Sequence, residues 1–201
     1  MSESNAKSEV KSTLALTLTA GASELWLDVA FTNGEGVEVL LYNRLSIVSP
    51  DGSSSRVDPN AAYVELLGET LHVRKMVLPL PPGLQAAEKL SPYLSKVAPG
   101  ETVRERLVFP LPVKVEQPYR RALLQSKAPP GHRVSASRAA SAKALTHSLG
   151  MVTLGPGERL IEVEPLVYRI WPPGPAADRQ VVLEETVDRA AQPIAVLDYD
   201  G

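Results

Sequence analysis

Residues 13–41 read TLALTLTAGASELWLDVAFTNGEGVEVLL, and their pattern decides the fold. Leu14, Leu16 and Leu18 alternate with small or polar residues. After Gly21-Ala22-Ser23, Leu25, Leu27, Val29 and Phe31 alternate with Trp26, Asp28, Ala30 and Thr32. After Asn33-Gly34-Glu35-Gly36 the alternation returns as Val37, Val39 and Leu41. Successive side chains of a strand point to opposite faces, so a period of two gives each run one apolar face. The breaks are short and rich in glycine and asparagine, the composition of hairpin loops. The stretch predicts three antiparallel strands with one buried face.

Working outward, residues 44–48 extend or follow the third strand, and Ser49-Pro50-Asp51-Gly52 has turn composition. Residues 54–57 read as a short edge strand, and residues 62–67 alternate weakly. Leu71, Val73, Lys75 and Val77 sit at period two against His72, Arg74, Met76 and Leu78, with neither face marked as the inner one. Residues 84–97 have room for one or two helical turns, broken at Pro92. A strand over residues 103–113 carries Pro110 and Pro112, which cannot donate to a ladder and so point to an edge or a bulge. Strand character returns over residues 145–154, 160–171, 180–187 and 193–199. Residues 1–11 read as a disordered tail. With about nine or ten strands, turns between most of them and no strand–helix alternation, the chain is expected to be all-β, a sandwich or a barrel.

Residues 117–144 differ. Prolines and Gly131 precede a mixture of serine, alanine and arginine whose alanines permit a short helix, but with too few apolar residues to hold one down without a partner. The stretch reads as a long insertion in a single domain over residues 12–201. The tripeptide Pro-Gly-Glu occurs at 99–101 and again at 156–158, each time before an alternating strand. Two tandem domains, 12–115 and 145–201, would explain the echo. So would ordinary turn chemistry, with proline presetting φ, glycine permitting a positive φ and the acid facing water.

Composition narrows the function. Hydrophobic residues make up 44% of the 201, too many for a disordered chain and enough for a core without staples. The absence of cysteine excludes disulfides, thiolate metal sites and cysteine nucleophiles. Lysine and arginine number 21 against 23 acids, whereas non-specific nucleic-acid binders carry a basic excess. Residues 1–9 lack the apolar core of a secretory signal. No segment approaches the ~20 apolar residues that span a bilayer. A cytoplasmic protein is expected if Met1 is the natural start, with neither membrane nor nucleic acid as its partner.

The strand end Phe31-Thr32-Asn33 followed by Gly34 and Gly36 resembles the second-strand corner of bacterial immunoglobulin-like domains. The turn Ala98-Pro99-Gly100-Glu101 is similar to one that precedes a later strand of the same domains. The resemblance covers roughly residues 12–113. It implies an immunoglobulin-like antiparallel β-sandwich and carries no catalytic residue across. The chain departs from antibody-type domains in having no cysteine pair and in placing Trp26 on the polar side of its strand.

Chemistry-bearing residues are sparse. His72, His132 and His147 lack metal-ligand spacing. The serines form no Gly-x-Ser-x-Gly elbow, and Ser135, Ser137 and Ser141 near His132 fit loop composition. Glu162 and Glu164 share one strand face at period two, either as a pair or as a solvated face. The glycines at 150, 155 and 157 precede no Lys-Ser/Thr pair, and Asp198-Tyr199-Asp200-Gly201 is cut short of a calcium loop. No cofactor is expected. Two stretches remain. One is basic and acid-free, with Lys127, His132, Arg133, Arg138 and Lys143, and suits an acidic partner, RNA, or a basophilic kinase acting at Arg138-Ala139-Ala140-Ser141, or else is a solvated loop. The other is Tyr168-Arg169-Ile170-Trp171, with the composition of an interface hot spot, or else a core tryptophan closing the end of the sandwich. The expectation is a non-catalytic module that binds a protein partner or itself through an exposed strand edge or an aromatic loop. A carbohydrate-binding module stacking sugars on Trp26, Tyr168 and Trp171 is the alternative. A hydrolase built on His132 or His147 comes third.

Overall fold

The structure is a computed structural model that describes residues 11–48, 55–82, 91–129, 131 and 133–199. The expected disordered tail lies outside these residues except for Lys11, as does the turn at 49–52. The first strands are β1 (Thr13–Ala20), β2 (Glu24–Thr32), β3 (Val39–Val48), β4 (Ser55–Asp58), β5 (Tyr63–Leu67) and β6 (Thr70–Lys75). They are followed by β7 (Tyr93–Val97), β8 (Thr102–Pro110), β9 (Val113–Lys114), helix α1 (Pro118–Lys127), β10 (Ala136–Ala142) and β11 (Ala144–Val152). The chain closes with β12 (Arg159–Glu164), β13 (Val167–Trp171), helix α2 (Pro173–Asp178), β14 (Val181–Asp188) and β15 (Ile194–Tyr199). Among the described residues strands take 58% and helices 9%, and no barrel forms, so the protein is all-β.

Fifteen strands are present among the described residues because several predicted runs divide. The run 160–171 is a hairpin, β12 and β13, turning at Pro165-Leu166. The run 103–113 leaves one sheet after Pro110 and re-enters another at Val113. The residues 84–97 expected to be helical end in a strand at 93–97, and 83–90 lie outside the described residues. Of residues 117–144, α1 takes the first part, started by the Gln117 side chain, which accepts from the Arg120 N–H. The serine-, alanine- and arginine-rich part becomes β10, which pairs antiparallel with β15, with a register shift between Ala136 and Arg138, and is an integral strand.

Three sheets form. One has the order β1-β2-β8, a second β10-β15-β9, and the third runs β12-β13-β7-β3-β11-β6-β5, with β14 on β11 and β4 on β3. β6 runs parallel to β11 along Ala144 to Leu149, and β3 continues on the same edge at Met151 and Val152. The carboxyl end of β6 therefore meets β3, where the β3–β7 register shifts between Leu41 and Arg44. A bulge of this kind re-aims side chains.

The predicted alternation survives in the packing. Leu25, Leu27 and Val29 of β2, with Leu107 and Phe109 of β8, face Val64, Leu71, Val73 and Leu145 in one core cluster. Each such side chain contributes about 1.5–3 kcal/mol by leaving water. Phe31, Val39, Leu41, Val97, Leu149 and Met151 form a second cluster further along the same strands. A third, with Leu40, Tyr42, Leu94 and Ile170, is closed by Ala176 and Ala177 of α2.

The two motifs that carried the resemblance meet. Gly100 N donates to Asn33 O at 2.8 Å and Asn33 N to Glu101 O at 2.9 Å. The Asn33 amide also donates to Val37 O and Val97 O. Gly34 is required here, since a Cβ would stand 2.3 Å from Lys11 O. The two Pro-Gly-Glu turns are built alike, with Gly100 and Gly157 at positive φ, as L side chains rarely are. Their acids do not simply face water: Glu101 accepts from Ala98 N and Glu158 from Gly155 N. The Glu158 carboxylate is buried, which corrects that expectation.

Candidate functional site

Strand parity sorts the residues predicted on β13. Ile170 is in the core, and Tyr168, of the same parity, packs half-buried against that cluster with the Lys96 ammonium 4.8 Å from its ring centre. Arg169 and Trp171 therefore occupy the other, outer side. Trp171 is 48% exposed, so the reading of it as a core tryptophan is overturned. Its ring follows an odd step from Ile170, which the core claims. Across the hairpin Arg159 stands opposite Trp171 and Ile161 opposite Arg169. The outer side thus carries tryptophan, two arginines and an isoleucine, and it ends near exposed Val163 and Leu166.

Leu166 is 74% exposed and holds φ at 63°, the left-handed region that side chains with a Cβ occupy at a cost. Its N–H is accepted by Glu162, so that acid serves the turn. Glu162 and Glu164 are both exposed, with a register shift between them, which fits a solvated face. β12 is the terminal strand of its sheet, with no partner on its far side among the described residues.

The basic stretch is partly neutralised. Arg138 donates to Asp198 Oδ2 at 2.6 Å, and Arg120 of α1 reaches the same carboxylate at 3.2 Å. Asp198 is buried, and these hydrogen bonds hold its carboxyl below the usual range against the desolvation that would raise it. Lys143 pairs with Glu69. Arg133 and Lys127 are exposed. Arg138 and Lys143 thus fasten β10 to its surroundings, and His132 lies outside the described residues.

Trp26 belongs to a different sheet, where its indole N–H donates to Glu24 and Arg106 lies over its ring. The three proposed stacking rings therefore share no face: Tyr168 and Trp171 point to opposite sides of β13. On the outer side of β1-β2-β8, Ala15 and Ala30 leave an open depression of about 520 Å³, flanked by Arg104 and by the Asp28–Arg106 ion pair.

Inside, sequence reasoning missed a polar cluster. Lys75 follows Leu71 and Val73 on the inner side of β6 and is fully buried. Its ammonium donates to Glu105 Oε2 at 2.9 Å, to Asn43 O at 3.2 Å and to Pro59 O. Glu105 extends from β8, in the facing sheet, in the series Val103, Glu105, Leu107, Phe109. Its other oxygen accepts from Arg44 at 2.8 Å and from the Asn43 side-chain amide. Ser95 donates to Asn43 Oδ1 at 2.8 Å. His147, also fully buried, lies between Leu145 and Leu149 with neither ring nitrogen in hydrogen-bond geometry. Burial, with the Lys75 charge, pushes its pKa down to about 4. The hydrolase reading needs a serine and a carboxylate hydrogen-bonded to this ring, and neither His147 nitrogen has such a partner in this structure. No group of three metal-ligating side chains converges among the described residues.

The signal for the cluster was legible: two opposite charges at positions where alternation demands apolar residues, one on each of two strands. No family model, no curated protein and no solved structure matches this chain.

Proposed function

We propose that this chain is an immunoglobulin-like β-sandwich acting as a non-catalytic interaction module. Its partner is a protein that lays an extended segment along β12, against the outer side of the β12–β13 hairpin. The observation that carries the reading is Leu166, a large apolar side chain that is 74% exposed in a backbone conformation glycine would adopt freely. Neither folding nor solubility favours leucine there, so contact with something else is what it serves. Trp171 and Arg169 on the same hairpin are the residue types that dominate binding energy at protein interfaces. An open terminal strand supplies backbone donors and acceptors for a further strand, and the outer arginines favour an acidic one. The contact between the Asn33 corner and the 99–101 turn, and the shared core between facing strands, support the sandwich reading.

Capture of partners by the tagged chain, compared with Leu166→Gly and Trp171→Ala, tests this. Both variants are expected to keep the fold and to lose a partner that Arg133→Glu retains. Retention by both hairpin variants would move the site off the hairpin.

A further inference from the structure

We propose that the protein laid along β12 is a second copy of this chain, its own β12 running antiparallel to the first about a two-fold axis at Ile161. The inference rests on the hairpin reading and names its partner. The bulge in β12 is what points to it. Strict alternation would put Arg159 and Glu164 on opposite sides of a strand. The pairing with β13 does otherwise. Arg159 stands opposite Trp171, Ile161 opposite Arg169 and Glu164 opposite Val167, with the register shift between Glu162 and Glu164. Directly paired residues share a side of the sheet. Arg159, Ile161 and Glu164 therefore form one outer row, with opposite charges evenly spaced on either side of the isoleucine.

That row is its own complement. A two-fold axis normal to the sheet keeps the outer sides of both copies together, as an isologous contact requires. Placed at Ile161, it sets Ile161 beside Ile161 of the second copy, Arg159 beside the second copy's Glu164, and Glu164 beside its Arg159. Opposite charges directly across a ladder attract and like charges repel. Moving the register by one pair in either direction sets a charge against Ile161 and leaves the ion pairs unmade. Arg159 and Glu164 are both exposed, and neither side chain has an ionic partner among the described residues. β12 ends its sheet among those residues, so its far side offers backbone N–H and C=O groups to the second copy. Across four adjacent strands the outer side then carries Trp171, Arg159, and the second copy's Glu164 and Val167, with the second copy's Leu166 at the turn beside them. Each ion pair is thus flanked by an indole and by the strained leucine, which shield it from water.

Analytical ultracentrifugation of the full chain over a range of concentrations tests this. The expected species is a dimer of the 21.6 kDa chain. Arg159→Glu and Glu164→Arg should each weaken dimerisation about tenfold or more, because each sets like charges opposite one another at two places. An equimolar mixture of the two variants should dimerise again, since every pair across that contact is oppositely charged, and the double variant should dimerise by itself. A wild-type chain that stays monomeric at its highest soluble concentration overturns the proposal. So does a dimer that neither single variant weakens, and so do mixed variants that melt like the parent yet remain monomeric. If Leu166→Gly and Trp171→Ala still lose a captured partner in any of those cases, the hairpin reading stands with a different occupant; if they lose none, it falls as well.

Discussion

Moving an ammonium and a carboxylate out of water costs several kcal/mol per ion even after relaxation. Lys75 offsets that cost with three acceptors, and Glu105 with Arg44 and Asn43 as further donors. Removing one member strands the other. Glu105→Ala is expected to lower stability by about 3–5 kcal/mol, the range for breaking a buried pair. The double change Lys75→Met with Glu105→Leu should recover most of that loss. Denaturant unfolding of the three chains measures both effects. His147 gives the pH dependence at the same seam. Its folded pKa, about 4, lies below the ordinary 6.5, so the unfolded chain binds the extra proton between these values. Stability from this residue is therefore complete above pH 6.5 and falls as pH drops toward 4, by roughly 3 kcal/mol in all. Unfolding midpoints between pH 7 and 4 should show this slope, and His147→Leu should flatten it. Alternation alone reveals that Lys75 and Glu105 share the period of their apolar neighbours. It does not reveal that two strands some thirty residues apart turn those positions toward each other, because facing is a property of the sheet pair.

The β12–β13 hairpin shows what one element adds. Its sequence, with Pro165 before the turn residue, allows either one interrupted strand or two, and only the Glu162–Leu166 hydrogen bond and the left-handed Leu166 settle it as a turn. Once the hairpin closes, parity places Ile170 in the core and Trp171 outside, which short apolar runs cannot decide by themselves. Iodide should therefore quench Trp171 strongly. In Trp171→Phe, where Trp26 alone remains, half-covered under Arg106, the quenching constant should fall at least twofold; an unchanged constant would put Trp171 inside. Leu166→Gly removes the backbone strain at the tip, worth about 1–3 kcal/mol, against a smaller entropic cost to the unfolded chain. Its melting temperature is expected to stay level or rise, while Val167→Gly in the adjoining strand should lower it.

At the scale of the molecule, distant segments share sheets and cores. β11 lies between β14 on one edge and β6 and β3 on the other, so residues 144–152 are framed by strands from both ends of the chain. The first core cluster runs from Leu25 to Tyr199 and includes Ala142, the last residue of β10. None of this is legible locally: β10 reads as a solvated stretch because its alanines and serines carry little apolar signal, and its strand state comes from β15 beside it. A chain of two tandem units, 12–115 and 145–201, would unfold in two steps, since each half would keep its own core. The shared clusters instead predict one transition, with tryptophan fluorescence, far-ultraviolet dichroism and calorimetry giving coincident midpoints. Deleting residues 127–144 sharpens the test. A solvated loop can be removed with little change in midpoint, because closure entropy varies slowly with loop length. Here the deletion removes the strand that covers β15 and the Arg138 partner of buried Asp198, so the shortened chain should lose its cooperative transition altogether. A deletion chain that melts sharply at the parental midpoint would show that β10 contributes nothing to the fold.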